Sequence, residues 1–429
     1  MLIYTSVYLA ALPIVAPWVA YRMLVRGKYR RSIAGMLGVR KPAMNPGGGR
    51  TYWLHAVSVG EVNAASAMIT KLREQYPDAR IVVSTTTETG QDHARMTLKD
   101  RVDDIFYYPV DFPWIVRSTL DRVRPTHLLL METELWPNML TVAAARGVKL
   151  FMLNGKLSSK SFGNYQRFHW LFREPLAGFS AFCMQTEIDG ERMKQLTPHP
   201  ERVHVTGDCK FDAPMQELSA EEREEVLRGW GVEPERPVIL AGSTHSGEDE
   251  IVLDAFAQVL LRHPDALLAL APRHPERFDD VYDLMRERGL ATLRASDPQH
   301  GPVEPQAVLL DRMGVLQKYY GLGRVAIVAG SFVYSERFGG HNLLEAAIHN
   351  IPVVYGPHMH KQKEIARLFD ERQSGVQTAP EQLGATLVEL LSAPEKAKAL
   401  GQKAYDTFCA HRGSAKRNLE ILLKFDSIR

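Results

Sequence analysis

Three carboxylates near strand-like runs open the chemistry that this sequence can do. Glu61 follows Ser58-Val59-Gly60 at the end of the run beginning Trp53-Leu54-His55-Ala56-Val57, and an alanine-rich helical segment starts with it. A first helical turn stabilises an ionised carboxylate, so Glu61 could take a proton from a substrate hydroxyl as a general base, or simply complement the helix dipole. Glu132 and Glu134, in Met131-Glu132-Thr133-Glu134-Leu135-Trp136-Pro137-Asn138, bring two more carboxylates to another strand end. They have no aspartate or histidine cluster at ligand spacing, so capping a helix or orienting a substrate hydroxyl suits them better than binding a metal, and no metal is predicted. Asp103-Asp104 reads as a solvated turn ahead of its strand. The loop Asn154-Gly155-Lys156-Leu157-Ser158-Ser159-Lys160-Ser161 offers two lysines and three hydroxyls, a set suited to phosphate or carboxylate.

Further along, the apolar run Val325 to Gly330 leads through Ser331 to Phe338-Gly339-Gly340-His341-Asn342-Leu343-Leu344-Glu345-Ala346-Ala347. This order predicts strand, glycine loop and helix, where backbone N–H groups and the helix N-terminus would receive an anion. Arg273 and His274 close another strand-like run, and an arginine there can grip a phosphate bidentately. His245 and His274 are candidates for acid or base, or for hydrogen-bonding loop residues. Asp311-Arg312-Met313-Gly314 ends a further run, and its backbone could line a base pocket. The expected ligand is a nucleotide or a sugar phosphate.

The elements that must position these residues alternate regularly. Strands are predicted at Ile81 to Ser84, His127 to Met131, Lys149 to Leu153, Ala181 to Gln185 and Val203 to Thr206. After an acidic helix at Ala220 to Gly229, a second series covers Pro237 to Ala241, Ala266 to Leu270, Ala307 to Leu310, Val325 to Val328 and Pro352 to Tyr355. The rhythm implies two doubly wound α/β halves with parallel sheets, and ligands beyond the carboxyl ends of the strands. A chain of 429 residues has room for two domains of ordinary size. Its net charge of +2 argues against a dedicated nucleic-acid binder. The three scattered cysteines form no metal motif and fit a reducing, cytoplasmic setting.

Leu2 to Tyr21 carries no charge, and Arg22, Arg26, Lys28, Arg30 and Arg31 follow it. That order predicts an N-terminal membrane anchor, spanning or interfacial, with the rest of the chain on the cytoplasmic side.

Taken together, His55 to Val62, Glu132 to Asn138, Asn154 to Ser161, Gly207 to Asp212, Ser243 to Glu248, Pro272 to Phe278, Gly339 to Ala347 and Gly356 to His358 resemble the Kdo transferase family, glycosyltransferases that handle 3-deoxy-D-manno-octulosonic acid. The resemblance implies a GT-B fold, with two Rossmann-like doubly wound domains facing a central cleft. It implies an anchor and basic segment at 1–31, an acceptor domain at 50–207, a donor domain at 213–410 and a final helix, 414–429, crossing back to the first domain. It further implies inverting transfer from CMP-Kdo to a lipid A precursor in lipopolysaccharide synthesis, at the inner membrane of a Gram-negative cell, without metal, cofactor or nucleic acid. Glu61 matches the general base. Arg273, His274, Met313, Gly314, Ser331, Gly340, His341, Asn342 and Glu345 match the donor site, and Ser58, Gly60, Glu132, Glu134, Lys156 and Ser158 are expected at the acceptor. The family pattern is departed from at Ala346, usually proline, and at Met359 to Gln362. A soluble nucleotide-sugar epimerase of the same architecture is one alternative. A membrane-tethered nucleotide-binding scaffold is another, and it would leave Glu61 without a task.

Overall fold

A computed structural model of the chain describes residues 4–10, 13, 17, 21, 31–39, 42–47, 49–212 and 217–427. The chain forms two units, one of Met1–Pro214 with His411–Arg429, the other of Met215–Ala410. In the first, seven strands are described: β1 (Thr51–His55), β2 (Arg80–Thr85), β3 (Asp104–Tyr107), β4 (His127–Met131), β5 (Lys149–Gly155), β6 (Phe179–Met184) and β7 (Val203–Val205). They lie in the order β3-β2-β1-β4-β5-β6-β7, all parallel. β1 and β4 are buried at every position, the pattern of strands covered by helices on both faces. Alternate side chains feed two cores. Leu54, Val83 and Leu129 meet the helices Val59–Gln75 and Ser414–Ser427 on one side, while Trp53, Leu128 and Leu130 meet Met139 and Leu176 on the other. The chain winds from β1 to β2 in one direction and later returns to place β4 on the other side of β1. The loops after β1 and β4 therefore emerge side by side, at the switch point where such sheets bind ligands.

The second unit repeats the plan with β8 (Val238–Thr244), β9 (Leu267–Pro272), β10 (Thr292–Arg294), β11 (Ala307–Leu309), β12 (Val325–Val328), β13 (Val353–Tyr355) and β14 (Val376–Gln377). Its order is β10-β11-β9-β8-β12-β13-β14, again all parallel, so the switch lies between β8 and β12. Ile239, Phe256, Leu268 and Ile327 belong to its core.

Two expectations need correction. The helix predicted after the glycine loop is a single turn, Leu344–Ala347. Asn350 follows in the left-handed region (φ 57°) and Pro352 comes two residues later, so the helix cannot extend and contributes little dipole. Asp103 and Asp104 are not a freely solvated turn. Asp103 accepts the Ile81 N–H at 2.7 Å, and Asp104, the first residue of β3, accepts the Ala43 N–H at 2.7 Å. Much of the expected N-terminal anchor, Leu2 to Tyr21 with the basic residues 22–30, lies outside the described residues. Among the described residues no helix is long and apolar enough to cross a membrane. The described piece, 4–10, is helical and rests on the first unit, with the Tyr8 ring 5.1 Å from that of Phe112 and the Thr5 hydroxyl 3.3 Å from the Asn138 carboxamide oxygen.

Candidate active site

In the first unit the loop after β1 closes on itself around Glu61. Ser58 caps the helix Val59–Gln75: its hydroxyl accepts the Glu61 N–H at 3.4 Å and donates to Glu61 Oε1 at 2.9 Å, while the Val57 N–H donates to Oε2 at 2.8 Å. Glu61 is only 7% exposed. Burial pushes its carboxyl above the ordinary carboxylate range, the Val57 and Ser58 hydrogen bonds pull it back, and the charge of Glu134 pushes it up again. Gly60 is exposed, and a Cβ there would meet nothing closer than the Ser58 hydroxyl at 3.9 Å.

Glu132, beside it after β4, sits on left-handed backbone (φ 56°), with its N–H donating to the Leu153 carbonyl at 2.9 Å. A non-glycine residue in that region costs free energy, and such positions cluster at functional sites. Its carboxylate accepts no hydrogen bond among the described residues. Burial and the charge of Glu61 raise its pKa, while Lys210 and Lys156 oppose them. Glu134 accepts the Trp136 indole N–H at 3.1 Å and is raised chiefly by burial. Lys156 is held through its carbonyl, which accepts the Thr133 hydroxyl at 2.5 Å, and through its neighbour Leu157, whose N–H donates to Asp189 at 2.7 Å. Ser158 is placed differently. It is exposed and caps the helix Ser159–Arg167, and no hydrogen bond joins it to the carboxylates.

Lys210 and Asp208 are members of this group that the sequence reading did not single out; both act on Glu132 through their charges. Asn154, itself left-handed (φ 56°), accepts the Cys209 N–H at 2.8 Å and so fixes the loop that carries them. The available signal was Gly207-Asp208-Cys209-Lys210 directly after a strand, with Gly207 at φ 93°.

In the second unit the N–H groups that follow β12 are already occupied. The carboxylate of Glu248, fully buried, accepts from Gly330 at 2.7 Å, from Ser331 and Phe332 at 2.9 Å each, and from His245 at 3.0 Å. Ser331 is also fully buried, its hydroxyl donating to Val328 and accepting from Gly356. Ser331 therefore shapes the loop from behind and does not present its hydroxyl to a ligand. Gly340 (φ 85°) is required for close approach: its N–H donates to the Gly330 carbonyl at 2.6 Å, and a Cβ would lie 2.3 Å from the Met359 sulfur. Asn342 accepts the Leu344 N–H at 3.2 Å.

The groups left facing outward are grouped by charge and stacking. Arg273 is exposed after β9, and its guanidinium makes no hydrogen bond among the described residues. Glu345 lies within its field: burial raises that carboxyl, and Arg273 and Asn342 lower it. His341 Nε2 is 3.0 Å from His245 Nε2, and the His245 ring stacks on Phe338 at 3.8 Å. Burial, then neighbouring cationic and imidazole groups, pushes His245 down to about 4 and His341 to about 3. Both are thus neutral near pH 7 and form a donor–acceptor pair. His274 is exposed, 5.4 Å from the His245 ring. Asp311 is engaged by the Ser296 N–H at 2.8 Å and hydroxyl at 2.5 Å, which leaves the turn beyond it, with exposed Met313 and Gly314 (φ 82°), as an open shelf. Among the described residues no group of three or more His, Cys, Asp or Glu side chains could hold a metal ion.

Known proteins resemble this arrangement at two levels. The sequence profile of 3-deoxy-D-manno-octulosonic-acid transferase (kdotransferase) matches residues 31–213. A 3-deoxy-D-manno-octulosonic acid transferase of Haemophilus influenzae is 32% identical over 421 residues, 98% of this chain and 97% of that one. One from Bordetella pertussis is 34% identical over 399 residues, 90% of each chain. The crystal structure of a UDP-GlcNAc 2-epimerase from Neisseria meningitidis, bound to UDP-GlcNAc, matches with a TM-score of 0.58 at 12% identity, covering 87% of this chain and 100% of that one. At such identity the likeness is one of fold, a GT-B-like pair of parallel-sheet units.

Proposed function

The chain belongs to the 3-deoxy-D-manno-octulosonic acid (Kdo) transferase family and is a glycosyltransferase, and from that premise we propose that it moves Kdo from CMP-Kdo to a hydroxyl of a lipid A precursor, lipid IVA, with inversion. Glu61 takes the proton of the acceptor hydroxyl as its oxygen forms a bond to the anomeric carbon of Kdo. The bond from that carbon to the phosphate oxygen breaks on the opposite face, its electron pair leaving with CMP. Arg273 balances the charge on the phosphate, Glu345 meets the ribose hydroxyls and the Arg312 to Gly314 turn backs the cytosine. Lys156 and Lys210 are suited to an anionic acceptor beside Glu132. No metal or other cofactor is needed in this scheme, since the cation at the leaving group is an arginine.

The observation that carries the proposal is the Glu61 carboxylate, buried, raised in pKa and placed at the β1/β4 switch. A carboxylate base whose pKa is raised by burial is better matched to proton abstraction near neutrality than a solvated one.

The site of action is proposed to be the cytoplasmic face of the inner membrane. The uncharged run Leu2 to Tyr21 with its basic flank supports this, as do exposed Trp114 (54%) and Trp170 (62%) on the first unit.

The test is transfer of Kdo from CMP-Kdo to lipid IVA in detergent with excess chelator, read by mass spectrometry. The parent is expected to transfer, and Glu61→Gln to lose at least a hundredfold in turnover while still binding CMP. An active Glu61→Gln variant removes Glu61 as the base, and a parent inactive until metal is restored removes the metal-independent scheme.

A further inference from the structure

The glycine loop of the second unit has a neighbour that the nucleotide scheme leaves unused. Beyond β13 the chain Pro357 to His360 folds against it: the His358 N–H donates to the Ser331 carbonyl at 2.9 Å and the Lys361 N–H to the Gly339 carbonyl at 2.9 Å. A Cβ on Gly339 would lie 2.4 Å from the His360 ring, so a larger residue there would push that ring aside. Between this segment and the helix Lys363–Glu371 is a pocket of about 370 Å³, within the range of small-ligand sites. Tyr334, His358, His360, Lys363 and Arg367 line it, over a floor that includes Met359.

The chemistry of the lining selects its ligand. Asp370, also at the wall, has its carboxylate engaged by the Tyr355 hydroxyl at 2.5 Å, and Arg367 is 3.5 Å from Glu371. Asp370 keeps its charge, but Lys363, exposed, has no carboxylate partner among the described residues, and the lining holds two cations, Lys363 and Arg367, against that one carboxylate. Lys363 also stands at the first position of its helix, where a cation opposes the dipole and where Gln362 provides no side-chain cap. An anion there would offset both. Tyr334, with the His358 and His360 rings each 5.6 Å away, offers aromatic faces and edges of the kind that pack on the C–H faces of a sugar.

We propose that this pocket receives the sugar-acid portion of the donor, with Lys363 paired to its carboxylate and Tyr334 and His358 against its ring. The proposal rests on the donor reading above, and its test separates the two. Binding of free Kdo, its methyl ester and inorganic phosphate to the full-length parent and to Lys363→Ala and Tyr334→Ala is followed by saturation-transfer NMR, beside the affinity for CMP and the KM for CMP-Kdo. Free Kdo is expected to bind the parent and its methyl ester to bind at least tenfold more weakly. Both variants are expected to lose Kdo binding and to raise KM for CMP-Kdo about tenfold, with CMP affinity unchanged. Equal binding of Kdo and its ester, phosphate competing as well as Kdo, variants with an unaltered KM, or a fall in CMP affinity equal to the rise in KM would each overturn it. A parent that binds Kdo through Lys363 but transfers none to lipid IVA upholds the pocket and rejects the transfer reaction proposed above.

Discussion

Glu61 serves two purposes with one carboxylate. Both its oxygens are engaged in the closure of its own helix cap, through Ser58 and Val57, and these hydrogen bonds also hold its pKa below the level that burial alone would set. Cap strength and base strength are therefore linked. Ser58→Ala is expected to destabilise the protein by about 1 kcal/mol, the usual worth of an N-cap. Losing a hydrogen bond to the ionised form also raises the Glu61 pKa, so the acid limb of the kcat/KM profile should move to higher pH. Ser58→Thr should restore both. Thermal melting with a pH–rate profile checks this; a melting change with an unmoved limb would show that the cap does not tune the base. Glu61 was readable as a candidate because Ser-x-Gly-Glu after an apolar run is a local pattern. That its hydroxyl partner and its base role compete for the same oxygens was not, since side-chain direction is set by the fold.

At the scale of elements, apolar runs were legible even where the strand is only three residues long, as in β7, β11 and β13, while β10 and β14 were not. Val325 to Val328 and His127 to Met131 are continuous apolar runs flanked by polar residues, and they appear as β12 and β4 with the predicted limits. β10 (Thr292-Leu293-Arg294) and β14 (Val376-Gln377) each hold a single apolar residue, so no apolar run announces them. The glycine loop was misread in one respect. The N–H groups of Gly330, Ser331 and Phe332, on the approach to it, are taken by Glu248, more than eighty residues earlier in sequence, and that of Gly340 by the Gly330 carbonyl; partners at such distances leave no local trace. Asn154 is a comparable long-range tie. It joins the end of β5 to the loop bearing Lys210 through the Cys209 N–H, from a left-handed backbone that asparagine tolerates better than alanine. Asn154→Ala should cost about 2 kcal/mol from the lost acceptor and the strained φ. It should also lower turnover through a displaced Lys210, whereas Asn154→Gly should recover part of the stability but not the activity. Denaturant unfolding and steady-state rates on the three proteins would decide; equal turnover in all of them would show that the tie matters only to stability.

On the scale of the whole molecule, the last helix belongs to the first unit. Asp426 gathers Arg50 and His127 at 2.7 Å each and Lys149 at 3.2 Å, while Leu419 and Leu422 enter the core beside Leu54 and Leu129. Burial alone would raise the Asp426 carboxyl, but His127, Lys149 and Arg50 outweigh it and hold the pKa below its ordinary 3.8. A depressed carboxyl contributes stability above its unfolded pKa and loses it as pH falls through the folded one. The contribution should therefore be complete at neutral pH and fade below about pH 4. Asp426→Asn is expected to cost about 3 kcal/mol at pH 7, as when one partner of a buried ion cluster is removed, and to flatten the acid decline of the melting temperature. An unchanged acid decline would place the titrating group elsewhere.

The same helix has a consequence for how the protein is made. The first unit is synthesised first, yet its core stays open on the Leu54 and Leu129 side until residues 414–427 arrive, after the entire second unit has been translated. At roughly 5–20 residues per second, the stretch of about two hundred residues between them takes on the order of ten to forty seconds. Throughout that interval the ribosome carries a nearly complete domain with an uncovered apolar face, and residues 414–427, translated only after the whole second unit, are the ones that cover it.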